Sequence, residues 1–387
     1  MNPCKQKLLW KILYIINIIL FALILNLNKA EAINYNIKQI TYNNHYDGYP
    51  QINKPGQIAW AAFPYSPPSS SNYDLYLWDN GNVKIIAANI DNANHPPHFN
   101  VNNNGDIVWF QYNEAKSKLQ IYLYRNGIIE NVSNNNLDNF FPQINNTGLI
   151  VWSEYDGTNY NIALYDHGDI SIIHRNSPGI HEGLQINDNG HIAWLEPIYG
   201  SSDREVYFYV DEEIKNISTD VSGYLHLNEM DQLVFLGKNQ RTIYLYNNNI
   251  LNPIVNDQYQ KSGLLLNDVV VIVWSQLAEG AISNDIFVYD NGTVRQIERP
   301  GEDNSPSINN NNQIVWRGRE DPILQYNIFL NDKGSTTQIT NDCLQKMSPQ
   351  INDQGRIVWQ GGEGQNSEIY LATPIADLAP VYDLLFN

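Results

Sequence analysis

The feature that most limits how this chain can fold is a phrase that recurs eight times. Asn53, Asn102, Asn145, Asn187, Asn228, Asn267, Asn309 and Asn352 each stand seven residues before an aromatic: Trp60, Trp109, Trp152, Trp194, Phe235, Trp274, Trp316 and Trp359. The spacing never varies, and successive copies begin 39 to 49 residues apart. Between Asn and aromatic lies a polar turn, usually with Gly, and then an apolar burst, as in "INDQGRIVW". A period of this length with strand-like content is the mark of a propeller blade.

Each unit reads as four strands. A short first strand such as "PQIN" meets the Asn turn, and "RIVW" or "LIVW" follows as the second. The third is "LYLW" at 75–78, "IYLY" at 121–124 and 243–246, or "IFVY" at 286–289. An Asn-Gly hairpin at residues 80–81, 126–127 or 291–292 then leads to a fourth strand such as "VKIIA" or "VRQIE". Successive strand residues point to opposite faces, so Ile150 and Trp152 share one face and Val151 takes the other. Both faces are apolar, which requires cover on both sides. A blade between two neighbours has that; most strands of a sandwich do not.

The eighth unit has a third strand, "EIYLA" at 368–372, but no fourth strand after it. The orphan segment "NIKQIT" at 36–41 has the fourth-strand pattern and no unit before it. The expected fold is therefore all-β: an eight-bladed propeller of four-stranded antiparallel blades. The N-terminal strand completes the last blade, which closes the ring and removes exposed edges.

The repeats "INDNGHIAW", "EIYLA" and "QIT" resemble those of the TolB-like β-propeller repeat family. The resemblance spans nearly all of residues 33–373. It implies the propeller fold. Propellers of this kind serve as periplasmic binding partners, peptidase propellers and polysaccharide-lyase propellers. The turns here are one residue shorter and richer in Asn than the family pattern, and eight repeats leave no room for the extra N-terminal domain of TolB itself.

The first 32 residues stand apart. Lys5, Lys7 and Lys11 precede the apolar run "ILYIINIILFALIL", and Ala30 and Ala32 follow in A-x-A spacing. That is the layout of a secretory signal peptide, with an uncleaved anchor as the other reading of the same run. The expected organisation is a signal peptide over 1–32, the propeller over 33–373 and a tail over 374–387. The mature protein is expected in the periplasm or secreted, without stable membrane insertion. Cys343 would be its single cysteine, so no internal disulfide is expected. A net charge of −18 argues against a nucleic-acid partner.

No catalytic signature is present: no Gly-x-Ser-x-Gly, His-Glu-x-x-His or phosphate-binding glycine loop. The Asn-rich turns offer oxygen groups of the kind calcium takes, but they lack the distal Glu of a calcium loop, and Met230 and residues 269–271 stand where polar groups would be needed. Asn capping its own turn explains them, so no metal or cofactor is expected. Candidate ligand-face residues come from the connections into each first strand: Asp47, His95, His98, Asp138, His181, Glu182 and Asp303, with His226 in a first strand. The loop at 61–72 adds Phe63 and Tyr65 among prolines. The expected role is a binding module for a protein, peptide or envelope glycan. The alternative is a polysaccharide-lyase-like enzyme with a His/carboxylate site at the channel mouth. Such an enzyme would need cations to neutralise a uronate, and only 23 Lys and Arg are present.

Overall fold

In a computed structural model, the described residues are 34–375, apart from 65–71, 94, 278–279, 281–282, 322–323 and 364–365. The signal-peptide segment, Tyr65 and residues 376–387 lie outside them. Among the described residues the fold is all-β, with 31 strands, and no helix is long and apolar enough to cross a membrane.

We number the repeats 1 to 8 from Asn53 to Asn352. Repeats 2, 3, 6 and 7 are separate four-stranded antiparallel sheets, each running first to fourth strand in chain order. Repeats 4 and 5 are joined because Glu213–Leu227 serves as the fourth strand of one and the first of the next. Repeats 8 and 1 meet through one parallel pair, Tyr46 with Ser367. The orphan N-terminal strand is Tyr35–Gln39. It pairs antiparallel with Asn366–Pro374, in register from Tyr35 opposite Pro374 to Gln39 opposite Tyr370. Ile40 N–H extends the ladder to Ile369 O at 2.7 Å.

The second strands form the core. In every repeat the aromatic at the seventh position is at most 1% exposed, and its apolar neighbours are buried on both faces. In seven repeats that ring stacks on the aromatic directly opposite in the third strand. Trp60 with Tyr76 (5.4 Å, 11°) and Trp359 with Tyr370 (5.8 Å, 8°) are two of them. Trp152 is the exception, since Ala163 stands opposite.

The repeated Asn does two jobs. Its side-chain oxygen caps its own turn: Asn102 Oδ1 accepts from Asn104 N (2.9 Å) and Asp106 N (3.0 Å). Its Nδ2 donates across to the carbonyl of the next repeated Asn. These bonds run from Asn53 to Asn102, Asn145, Asn187, Asn228, Asn267, Asn309 and Asn352, at 2.8 to 3.2 Å. Asn352 Nδ2 then donates to Asn53 O at 3.0 Å, which returns the series to its start.

A second series lies one residue further on. The backbone N–H of Lys54 donates to Asn103 Oδ1, that of Asn103 to Asn146, and so on through Asp188, Glu229, Asp268 and Asn310 to Asp353. Lys54 has no acceptor for the eighth step; its ammonium sits 3.4 Å from Asp353 instead.

One regular feature was not visible in the sequence pattern. Seven of the eight first strands carry a β-bulge four residues before the repeated Asn. Tyr49, Phe141, Gly183, Tyr224, Gly263, Ser305 and Ser348 take positive φ of 50–62° there, and the strand register slips at each. Repeat 2 has His98 in that place, without a bulge. Bulges re-aim side chains, and here they do so along the innermost strands.

The turn position three after the repeated Asn is also left-handed, and Gly fills it in five repeats. Asp231, Val270 and Asn312 fill it in the others. Val270 is β-branched at φ 65°, where it is most strained. Val270→Gly should shift stability by less than about 1 kcal/mol, because the relieved strain is offset by added chain entropy and by lost packing against the core around Trp274, read as a nearly unchanged denaturation midpoint in urea. By contrast, Trp152→Ala should cost about 3–5 kcal/mol in the same measurement, because the ring is fully buried.

Candidate functional site

The first strands of all eight repeats surround a cavity of about 850 Å³. One end is set by the Asn turns, and with them Lys54, Asp188, Glu229, Asp268 and Asp353. His98, His181 and Glu182 lie at the start of their first strands, away from the turns, and also line the cavity. His226 sits two residues before its Asn, among amides in the equivalent place. Four repeats carry Gln there: Gln51, Gln143, Gln185 and Gln350. These amides stitch neighbouring first strands. Gln185 Nε2 donates to Leu225 O (2.7 Å), and its Oε1 accepts from Leu227 N (2.8 Å). Gln51 Nε2 likewise donates to Phe99 O (2.7 Å). His226 makes no such stitch, and its Nδ1 is buried without a partner.

The sequence candidates divide in two. His98, His181, Glu182 and His226 share the cavity. Asp47, Asp138, Asp303, His95 and Phe63 do not line it, and each is engaged elsewhere. Phe63 is only 3% exposed and packs against Tyr46, Tyr49 and Tyr73, so it does not form the surface patch expected of the loop at 61–72. His95 stacks edge-on against Phe110, Phe140 and Phe141. Asp138 pairs with Lys118 at 2.7 Å and accepts from Leu119 N.

Asp47 and Asp303 belong to a slot that aligning on the Asn reveals, six residues upstream of it. The slot holds Asp47, Asn139, His181, Lys261, Asp303 and Lys346 in repeats 1, 3, 4, 6, 7 and 8, all at most 2% exposed. In five of these six the slot residue is clasped by the residue four before it. Asn43 bonds Asp47 (2.8 Å), Asn135 bonds Asn139 (3.0 Å) and Asp257 bonds Lys261 (2.6 Å). Arg299 holds Asp303 (2.9 Å), and Asp342 holds Lys346. In repeat 4 the residue four before is Ser177, which bonds Gly179 O instead. His181 contacts Ser153 Oγ through Nδ1 (3.0 Å), and its Nε2 has no partner. Among the described residues, His181 also belongs to a group close enough to share an ion, with His174 and Glu196. Neither His174 nor Glu196 was a sequence candidate, because both lie within strands, Asp169–Ser177 and Ile192–Pro197, and not in the connections between them.

Burial sets the titration of these groups. It lowers His98, His181 and His226 to about 4 each, so the imidazoles are neutral at pH 7. It raises Asp47 and Asp285 to about 6.

No family model matches the sequence, and no curated protein matches it. Solved structures do. The β-propeller domain of the trilobed protease from Pyrococcus furiosus aligns with a TM-score of 0.52 at 13% identity, over 78% of this chain and 97% of that one. Dipeptidyl peptidase 4 from Porphyromonas gingivalis aligns at 0.56 and 13%, over 84% of this chain and 56% of that one. A catalytically inactive virginiamycin B lyase from Staphylococcus aureus, with quinupristin, aligns at 0.50 and 10%, over 89% and 100%. The fold is a β-propeller. The chain spans little over half the length of the dipeptidyl peptidase, and at such identities the likeness extends to fold alone.

The neutral histidines predict an acid-labile protein. Their folded pKa values lie below the unfolded value of about 6.5, so below pH 6.5 the unfolded chain binds protons that the folded one refuses. Stability is then lost as pH falls from 6.5 toward 4, by up to about 1.4 kcal/mol per pH unit for each histidine. Asp47 and Asp285 act oppositely: they hold protons in the fold below about pH 6, so the loss should be steepest just under pH 6.5. His226→Gln, which installs the residue four other repeats carry, should flatten that slope by one proton. Urea midpoints across pH 4–7.5 would show this, and equal slopes for both proteins would contradict it.

Proposed function

We propose that this chain is an exported binding module, an eight-bladed propeller of TolB-like repeats, which draws a cationic peptide segment of a protein partner into its central cavity. The carrying observation is the charge of the lining: Lys54 stands against Glu182, Asp188, Glu229, Asp268 and Asp353. Around them are amides and apolar groups such as Phe141, Leu184 and Leu227, the mixture that suits an extended peptide. Burial raises Glu229, a cost that a bound cation offsets. The eight-bladed, closed architecture is supported by the returning series of Asn bonds and by the pairing of Tyr35–Gln39 with Asn366–Pro374. Export is supported by the basic, apolar and A-x-A segments of residues 1–32.

The cavity charge also bears on the alternative of a polysaccharide lyase. A polyuronate needs cations around it, and Lys54 is the only Lys or Arg among the described residues of the lining.

Fluorescence anisotropy with labelled peptides of about nine residues, matched except for Lys or Glu, tests the proposal. The Lys peptide should bind, more weakly at high salt. Asp188→Asn with Asp268→Asn should weaken it by about tenfold, near 1.4 kcal/mol. Repeats 2, 3 and 7 already carry Asn at that position, so the backbone acceptor survives and the fold should too. Equal binding of the Glu peptide, or no effect of the double substitution, would refute the reading.

A further inference from the structure

The geometry points to a divalent transition-metal site, of the zinc class, formed by His174, His181 and Glu196 at the junction of repeats 3 and 4. It is independent of what the cavity binds. Their donor atoms all lie within 4.8 Å of one another. His174 Nε2 is 2.8 Å from Glu196 Oε2. Donors around a tetrahedral zinc with bonds of about 2.0–2.2 Å stand roughly 3.4 Å apart, so small side-chain rotations suffice to close the set.

Three further observations separate this cluster from a chance grouping. The first is the slot comparison. In five repeats the buried polar residue six before the Asn is clasped by its own loop, whereas His181 alone keeps a nitrogen without a partner at 1% exposure. A buried orphan of this kind costs free energy unless something satisfies it. The second is the arrangement behind it. In the tautomer with Nδ1–H donating to Ser153 Oγ, His181 keeps the lone pair of its buried Nε2 free for an ion. Trp194 Nε1 donates to Glu196 Oε2 at 3.1 Å, which orients the carboxylate. Ligands held from behind in this way are the usual partners of a metal. The third is the backbone. His174 lies opposite Ile162, where the ladder between the third and fourth strands slips on both sides, as it does at Leu75 in repeat 1 and Val206 in repeat 4; there Ala87 and Ser218 stand opposite, and repeat 3 places a histidine. The irregularity turns an outer-strand side chain inward, against Trp194 (5.4 Å) and Tyr207 (6.0 Å).

Two imidazoles and one carboxylate suit zinc and its neighbours better than calcium or magnesium, which prefer oxygen. Three protein donors leave a fourth position for water or a ligand. His181 and Glu182 both line the central cavity, so the ion would sit in that wall.

The test is calorimetric titration of the full chain, stripped with chelator, with Zn²⁺ alone. One ion per chain should bind, and the thermal midpoint should rise with Zn²⁺. His174→Asn, His181→Asn and Glu196→Gln should each weaken binding at least tenfold and abolish the thermal shift. His167→Ala, at an exposed His–Asp pair on the surface, should change neither. The proposal is overturned if the unsubstituted protein takes up no zinc at 100-fold excess over chain, which would leave a trapped water as the partner of His181. It is equally overturned if the three variants keep wild-type affinity, or if uptake is lost with His167. The unsubstituted titration decides the matter even if His181→Asn fails to fold. Glu196→Gln retains an acceptor for Trp194 and is the mildest of the three.

Discussion

Everything in this protein hangs on one amide. The repeated Asn must cap a turn and reach a neighbour at once, and no other side chain does both at this length. Asp keeps the capping oxygen but loses the donor. Gln keeps both groups but is one methylene too long for the turn N–H groups that Asn102 or Asn187 reaches at the second and fourth positions. The eight Asn residues are 2–5% exposed, so losing one donor would leave a buried carbonyl unpaired, at about 1–3 kcal/mol. Sheets pack face to face through apolar second strands, which tolerate sliding. The amide bonds do not, so they fix how each sheet meets the next.

The repeat pattern made the strands, the turns and the burial of both faces legible. They follow from local sequence: periodicity, Asn-Gly hairpins and a fixed Asn-to-aromatic distance. The N-terminal strand was legible for the same reason, since "NIKQIT" lacked a unit and "EIYLA" lacked a fourth strand. What the sequence did not reveal lies between repeats. The bulges at Phe141 or Ser305 need a partner strand before they mean anything. The stitching by Gln185 depends on where the neighbouring strand lies.

The candidate residues show the same division. Histidines and carboxylates in the connections looked like one population. Alignment on the Asn separates them. Asp47 and Asp303 occupy the clasp slot, where Arg299 or Asn43 satisfies them, while His98 and His226 occupy places on the innermost strand that face the cavity. Phe63 is the last residue of a second strand, Ile58–Phe63, and is drawn into its core, which is why an aromatic among prolines was no surface anchor. Glu196 and His174 left no trace in the pattern, because their meeting is made by two different sheets.

Departures from the repeat are therefore more informative than the repeat itself. Repeat 2 replaces the bulge with His98, repeat 4 replaces the clasp with His181, and repeat 5 replaces the stitching Gln with His226. The exchanges in repeats 4 and 5 give up a bond that sister repeats make, whereas His98 Nε2 lies 3.2 Å from Pro142 O and 3.1 Å from Gln143 Nε2. His226 Nδ1 and His181 Nε2 are left buried without partners. Burial also keeps all three imidazoles neutral at pH 7, so none supplies an ion pair in return. A repeat protein can drop one stitch in one unit because seven others hold the sheets. That surplus lets repeats 4 and 5 place uncommitted nitrogen in the cavity wall, while the remaining units keep the fold.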